Sequence, residues 1–205
     1  MKVWPRVVVL SLVALVATFG AWDRFLAPHF VAKNFDVVEP GIYRAGLIDA
    51  GLLESVVKEH GVRRIVTLLP ERRNDPRQQE EARIANVQGI RIERFPLHGN
   101  GTGDPMMYVR AVQAIVEAHR ADEPVLVHCA AGAQRTGGVI ALYRVVQGKS
   151  GAEIVDEMKR HGLDPRKNAA LLPYLNSNMA FFVEELHARG VLERVPASVP
   201  QLPVG

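Results

Sequence analysis

The run Pro124-Val125-Leu126-Val127 is apolar and reads as a buried strand. It ends on His128 and Cys129, the single cysteine in 205 residues. Small residues follow, Ala130-Ala131-Gly132-Ala133, then Gln134, Arg135, Thr136 and two glycines, where the sequence predicts a helix over 136–147. A buried strand that passes through a tight loop straight into a helix belongs to a layered α/β domain. In open sheets of that class, ligands sit at the carboxyl ends of strands. Gly132 is free to take a positive φ, so the loop can turn successive N–H groups inward as an anion-binding nest. The helix start adds the positive end of its dipole.

The rest of the chain supports this class. Short strands are expected at Phe35–Val38 and Ile42–Arg44, around the turn Pro40-Gly41. Asp49 is placed to cap a helix that runs to His60 and ends at Gly61. Arg64–Leu69 reads as a buried strand, and Asp75-Pro76 opens a polar helix to Gln88. A strand over Ile90–Leu97 leads into the glycine-rich stretch His98–Gly103. Asp104-Pro105 then starts a helix to Arg120, with Val109, Val112, Ile115 and Val116 on one face. Ser150-Gly151-Ala152-Glu153 has the form of a capping box for a helix to His161. A last helix pair is expected over Pro165–Arg189, followed by a proline-containing tail, 191–205, whose part Val195–Gly205 is expected to be loose. Strands alternating with helices imply a central, largely parallel sheet flanked by helices.

Composition is globular: 48% hydrophobic against 23% charged residues leaves enough apolar surface for a core. The net charge is +3, and Lys2, Arg6 and Arg24 against Asp23 place two of those three charges in the first 24 residues. The remainder is almost neutral, which argues against nucleic acid as a partner. The segment Val7–Trp22 is apolar apart from Ser11, Thr18 and Gly20, follows Lys2 and Arg6, and has Trp4 and Trp22 near its ends. Three readings compete for it: a single-pass membrane anchor, a cleaved signal peptide, or a buried core helix. The first two put the domain after residue 25 outside the cytoplasm, in a bacterial periplasm, tethered or released. Residues 25–34 read as a connector to a domain over 35–190. One cysteine excludes an intramolecular disulfide and a multi-cysteine zinc site. The seven histidines are scattered without metal-ligand spacing.

The lone thiol is either a small core residue or a nucleophile, and its neighbours decide. A free thiol is mostly protonated at neutral pH, whereas attack on phosphorus needs the thiolate. Loop amides and a helix N-terminus lower the thiol pKa. Arg135 offers a planar fork for two phosphate oxygens and positive charge for the transferring group. The Thr136 hydroxyl can donate to the sulfur as it becomes a leaving group. His128 is better placed to order the loop through hydrogen bonds than to act as a base.

The string His128-Cys129-x5-Arg135-Thr136-Gly137 resembles the signature loop of the cysteine-based protein tyrosine and dual-specificity phosphatases. The flanks are similar too: Pro124–His128 before the loop, Ala141-Leu142-Tyr143-Arg144 in the next helix, Glu39–Gly46 as the opening hairpin, and Gly61–Leu69 as the first core strand. The resemblance covers roughly residues 35–190 and is strongest to small bacterial dual-specificity-like members. It implies a tyrosine-phosphatase-like fold, a phosphocysteine intermediate on Cys129, a phosphate clamp at Arg135, and assistance to its hydrolysis from Thr136. Phosphate oxygens would be bound by the amides of Ala130, Ala131, Gly132, Ala133 and Gln134. It implies no metal and no organic cofactor.

The match departs at the general acid. The family carries an aspartate on a loop about thirty residues before the cysteine. Here Asp104 is the better acid by chemistry and His98 by spacing, while Asp104 also suits an N-cap and His98 a loop-ordering role. Gln134 stands where some relatives have an acidic residue. Arg72 and Arg73 follow the strand ending at Leu69 and either steer an anionic substrate or form a solvated charge run. The loop lacks the lysines common in enzymes acting on multiply phosphorylated inositols. Phosphorylated protein is therefore the first expectation for substrate and a lipid phosphate at the membrane the second. A silent phosphate-binding module and a rhodanese-type sulfurtransferase are the rivals from other classes. The five-residue spacing and Arg135-Thr136-Gly137 favour a phosphatase.

Overall fold

The computed structural model describes residues 32–204. The predicted anchor or signal segment 1–24, with its hydrophobic helix, and the connector up to residue 31 lie outside the described residues. From there β1 (Asp36–Glu39) and β2 (Ile42–Ala45) form an antiparallel hairpin with a register shift between Val37 and Glu39. Gly41 takes φ 84° at its turn. α1 (Ala50–His60) follows its N-cap Asp49 and stops at Gly61, whose φ of 63° closes the helix by an N–H bond to Val57 O. Next come β3 (Arg64–Thr67), α2 (Pro76–Gln88), β4 (Arg91–Arg94), α3 (Pro105–Arg120) and β5 (Val125–His128). The chain finishes with α4 (Gln134–Val146), α5 (Gly151–Arg160) and α6 (Leu171–Ala188). Asp75 and Asp104 each cap the helix that follows, accepting from Arg77 N–H at 3.0 Å and Met106 N–H at 2.9 Å. The capping box of Ser150 and Glu153 is fully formed.

The sheet order is β1-β2-β5-β3-β4, with β2, β5, β3 and β4 parallel and β1 antiparallel. β5 lies in the centre, buried on both faces, as its unbroken apolar run requires. Ala45, Thr67 and His128 are in register across three neighbouring strands, so all three end at one edge of the sheet. Side-chain alternation divides the core. Ile42, Val66, Val125 and Val127 join the cluster that contains Val112 and Ile115 of α3, Ile140 of α4, Ile154 of α5 and Phe182 of α6. Ala45, Ile65 and Leu126 join Leu53 and Val57 of α1 and Ile84 of α2.

Five expectations are corrected. The strands expected to end at Leu69 and Leu97 stop at Thr67 and Arg94. Single bonds continue from Phe95 N–H to Thr67 O (2.9 Å) and from Leu97 N–H to Leu68 O (3.2 Å), but the second leaves the ladder's register, and Leu69 O accepts from Arg94 Nη1 at 2.9 Å instead. α4 begins at Gln134, two residues before the expected start. The expected helix pair over 165–189 is one helix: Pro173 is tolerated only in a helix's first turn, which fixes the start near Leu171. Before it, Asp164 closes a single turn with Arg166, Lys167 and Asn168 N–H groups. The tail is also docked rather than loose. Leu202 is buried, and its N–H and C=O both bond to the Asn176 side chain at 2.8 Å. Gly151 makes room for it, since a Cβ there would stand 1.9 Å from Gln201 O.

Candidate active site

The loop after β5 is moulded by the chain that follows and precedes β2. Three successive loop carbonyls are each held from outside. Ala130 O accepts from Leu47 N–H (3.3 Å), Ala131 O from Asn34 Nδ2 (2.8 Å) and Gly132 O from Arg44 Nη2 (2.8 Å). In a trans peptide the C=O and the next N–H point in opposite directions. Holding the carbonyls outward therefore turns the following amides toward the sulfur. Gly132 N–H donates to Cys129 Sγ at 3.2 Å, and the Ala131 N–H is also bonded to it. Gly132 is required twice over: its φ is 70°, and a Cβ would lie 2.7 Å from the backbone of Ala45 and Gly46.

Cys129 is 2% exposed, at the foot of this nest. Burial pushes its pKa up. Hydrogen bonds from the Thr136 hydroxyl and from the Thr136 and Ala131 amides, with the Arg135 charge, more than offset that and hold it below the ordinary thiol value. Thr136 is wholly buried, and its hydroxyl is also 3.5 Å from Ala45 O. Arg135 lines the cavity above the loop, and its Nε, though buried, has no acceptor among the described residues. His128 orders the site from behind. Its backbone O accepts from Leu68 N–H at 2.9 Å, and its Nε2 lies 2.9 Å from Glu81 Oε1 of α2. That approach is at ion-pair distance but off the angle of a hydrogen bond, for neither ring nitrogen has an aligned partner among the described residues.

The cavity measures about 700 Å³. Leu47, Leu69, Pro70, Leu97 and Met107 give it apolar walls, and Ala130 and Arg135 lie at the nest. Both acid candidates reach it. Asp104 is exposed, with Oδ1 engaged by Met106 N–H; His98 is exposed, with Nδ1 3.3 Å from Thr102 Oγ1. The loop carrying them is pinned at three carbonyls: Asn100 O by Asn168 Nδ2 (2.8 Å), Gly101 O by the buried Tyr108 hydroxyl, and Gly103 O by the Tyr174 hydroxyl (2.9 Å). Arg72 lines the cavity, whereas Arg73 is exposed and lies 3.8 Å from Glu71. Among the described residues, no group of three or more His, Cys, Asp or Glu side chains is placed to hold a metal ion.

Several residues escaped the sequence reading. Asp75 and Arg77, read only as the start of a helix, line the cavity because β3 ends at the same sheet edge as β5. Asn34 sat in the connector, and Arg44 was noticed only as part of the hairpin. A signal for Arg44 existed: it shares the strand face of Ile42, where a charge has no reason to be unless it has work there.

Known proteins agree with this architecture. The profile of the Tyrosine phosphatase family matches residues 30–188. Inositol diphosphatase DSP1 of Oryza sativa subsp. japonica is 29% identical over 133 residues, covering 62% of this chain and 56% of that protein. Dual specificity protein phosphatase TpbA of Pseudomonas aeruginosa is 27% identical over 143 residues, covering 69% and 59%. The chain thus spans less than two thirds of either relative's length. The solved core catalytic domain of the PP-IP phosphatase SIW14 from S. cerevisiae shares the fold, with a TM-score of 0.62 at 22% identity over 78% of this chain and 93% of that one. With the signature loop formed and the profile covering most of its length, the chain belongs to the tyrosine phosphatase family.

Proposed function

We propose that this protein hydrolyses phosphomonoesters through a phosphocysteine intermediate. The observation that carries the reading is the buried Cys129, with its sulfur bonded by inward amides and the Thr136 hydroxyl and with Arg135 beside it. The thiolate attacks phosphorus, the ester P–O bond breaks, and Asp104 delivers its proton to the leaving oxygen. Water then attacks the phosphocysteine and gives its proton to Asp104. The S–P bond breaks as the Thr136 hydroxyl donates to the departing sulfur, releasing inorganic phosphate. Cys129→Ser is expected to abolish turnover of an aryl phosphate while phosphate still binds. Wild-type turnover in that variant would remove Cys129 as the nucleophile.

Phosphotyrosine-containing or doubly specific protein substrates fit best. The apolar walls suit an aromatic ring, and Ala130, Ala131 and Ala133 bring no cation to meet several phosphates. A second reading, a multiply phosphorylated inositol, draws on the relatives named as inositol diphosphatases and on Arg72 and Arg77 at the cavity. The apolar segment 7–22 supports an extracytoplasmic domain at a membrane and keeps a lipid phosphate as the third substrate to compare. Turnover on a phosphotyrosine peptide, an inositol pyrophosphate and a phospholipid monoester, measured side by side, decides among them. A kcat/KM for the inositol or lipid substrate above that for the peptide would reverse the order.

A further inference from the structure

Arg44 is 1% exposed, inside the domain, yet among the described residues only one of its three guanidinium nitrogens has an acceptor, Gly132 O; Nε and Nη1 have none. An uncompensated cation in an apolar interior is costly unless an anion shares its surroundings. The neighbouring carboxylates are already engaged: Asp36 of β1 with His161 at 2.8 Å, and Glu157 of α5 with Arg144 of α4 at 2.8 Å. Glu157, Asp36 and, after them, the Cys129 thiolate act on Arg44 electrostatically and favour its charge, while Arg144 opposes it. Burial pulls the Arg44 pKa down to about 10, so the side chain is still a cation at neutral pH. Around the sulfur itself stand Arg135 of α4 on the cavity side, the Tyr108 phenol of α3, and the His128–Glu81 pair behind. Asp104 and His98 face the cavity mouth.

We propose that Arg44 and Asn34 are positioning residues of the nucleophile: Arg44 supplies a second, buried positive charge behind the thiolate, and both side chains hold the loop carbonyls outward so that its amides face the phosphate. The two act differently. Asn34 carries geometry alone, through Ala131 O, while Arg44 carries geometry and charge. The proposal rests on the phosphatase reading, and its test is independent of the substrate.

The test is the pH dependence of Cys129 alkylation by iodoacetamide, together with inhibition by inorganic vanadate, in the full chain. Arg44→Met should raise the alkylation midpoint by about one pH unit, equivalent to a tenfold lower thiolate fraction below it. It should weaken vanadate by about tenfold or more. Arg44→Lys should restore much of the alkylation midpoint but not the vanadate affinity, since a lysine keeps the charge and loses the fork. Asn34→Ala should weaken vanadate with a smaller change in midpoint, and it decides the geometric half if Arg44→Met does not fold. Variants that fold and keep both wild-type values overturn the proposal. A wild-type protein with an ordinary thiol midpoint and no vanadate inhibition would instead overturn the phosphatase reading itself.

Discussion

Gly138 lies two residues past Thr136, and a Cβ there would fall 2.4 Å from Tyr108 Oη. Tyr108 cannot move aside freely, because its hydroxyl holds Gly101 O in the loop between His98 and Asp104. Gly138→Ala is therefore expected to cost about 1–3 kcal/mol of stability in urea unfolding, and also to lower turnover by disturbing that loop. A variant with wild-type stability would show that helix α4 shifts without strain. The acid is decided at the same scale. Asp104→Asn should lose the basic limb of the pH–rate profile for a poor leaving group while His98→Asn keeps it; the reverse result would assign the role to His98. Cys129, Arg135 and Thr136 were legible in the sequence because their chemistry lies in one contiguous stretch. Asn34 was not, because it meets its partner across 97 residues and no local pattern marks a hydrogen bond to a distant carbonyl; Arg44, 88 residues from its partner, is marked only by being a charge on an apolar strand face.

At the scale of elements, boundaries set by a proline or a cap were readable and those set by packing were not. Asp75-Pro76, Asp104-Pro105 and Ser150–Glu153 open helices where their side chains require it. The start of α4 was misplaced by two residues because the nest and the helix share amides. The tail was misread because its composition is that of a linker, while a single leucine and one asparagine fix it. Leu202→Ala should lower stability by ~2 kcal/mol or more, as expected for a buried leucine. Asn176→Ala should cost about 1–3 kcal/mol by stranding an N–H and a C=O. Thermal unfolding measures both; a change within error for both variants would mean that the tail contributes nothing to the fold.

The whole molecule couples the Cys129 thiol to folding. The Cys129 pKa is lower folded than unfolded, so between the folded value and the ordinary thiol value of about 8.5 the unfolded chain binds more protons. Stability should rise with pH across that window, be fully present above the unfolded value, and be lost as pH falls through the folded one. Urea midpoints of the wild type and Cys129→Ser, followed from pH 6 to about 9, should diverge in the wild type's favour; parallel curves would contradict a depressed thiol. The long spans closed by Asn34 and Arg44 add an order of events. In synthesis the β1–β2 hairpin leaves the ribosome well before Cys129, and two strands alone are marginal in water. The nest forms only when β5 slots between β2 and β3. Until then Cys129 is an ordinary thiol, mostly protonated at neutral pH, so a stalled or misfolded copy lacks the poised thiolate. The reactive group is thus a product of completed folding, and the alkylation rate of its one cysteine can serve as a clock for when a nascent chain becomes whole.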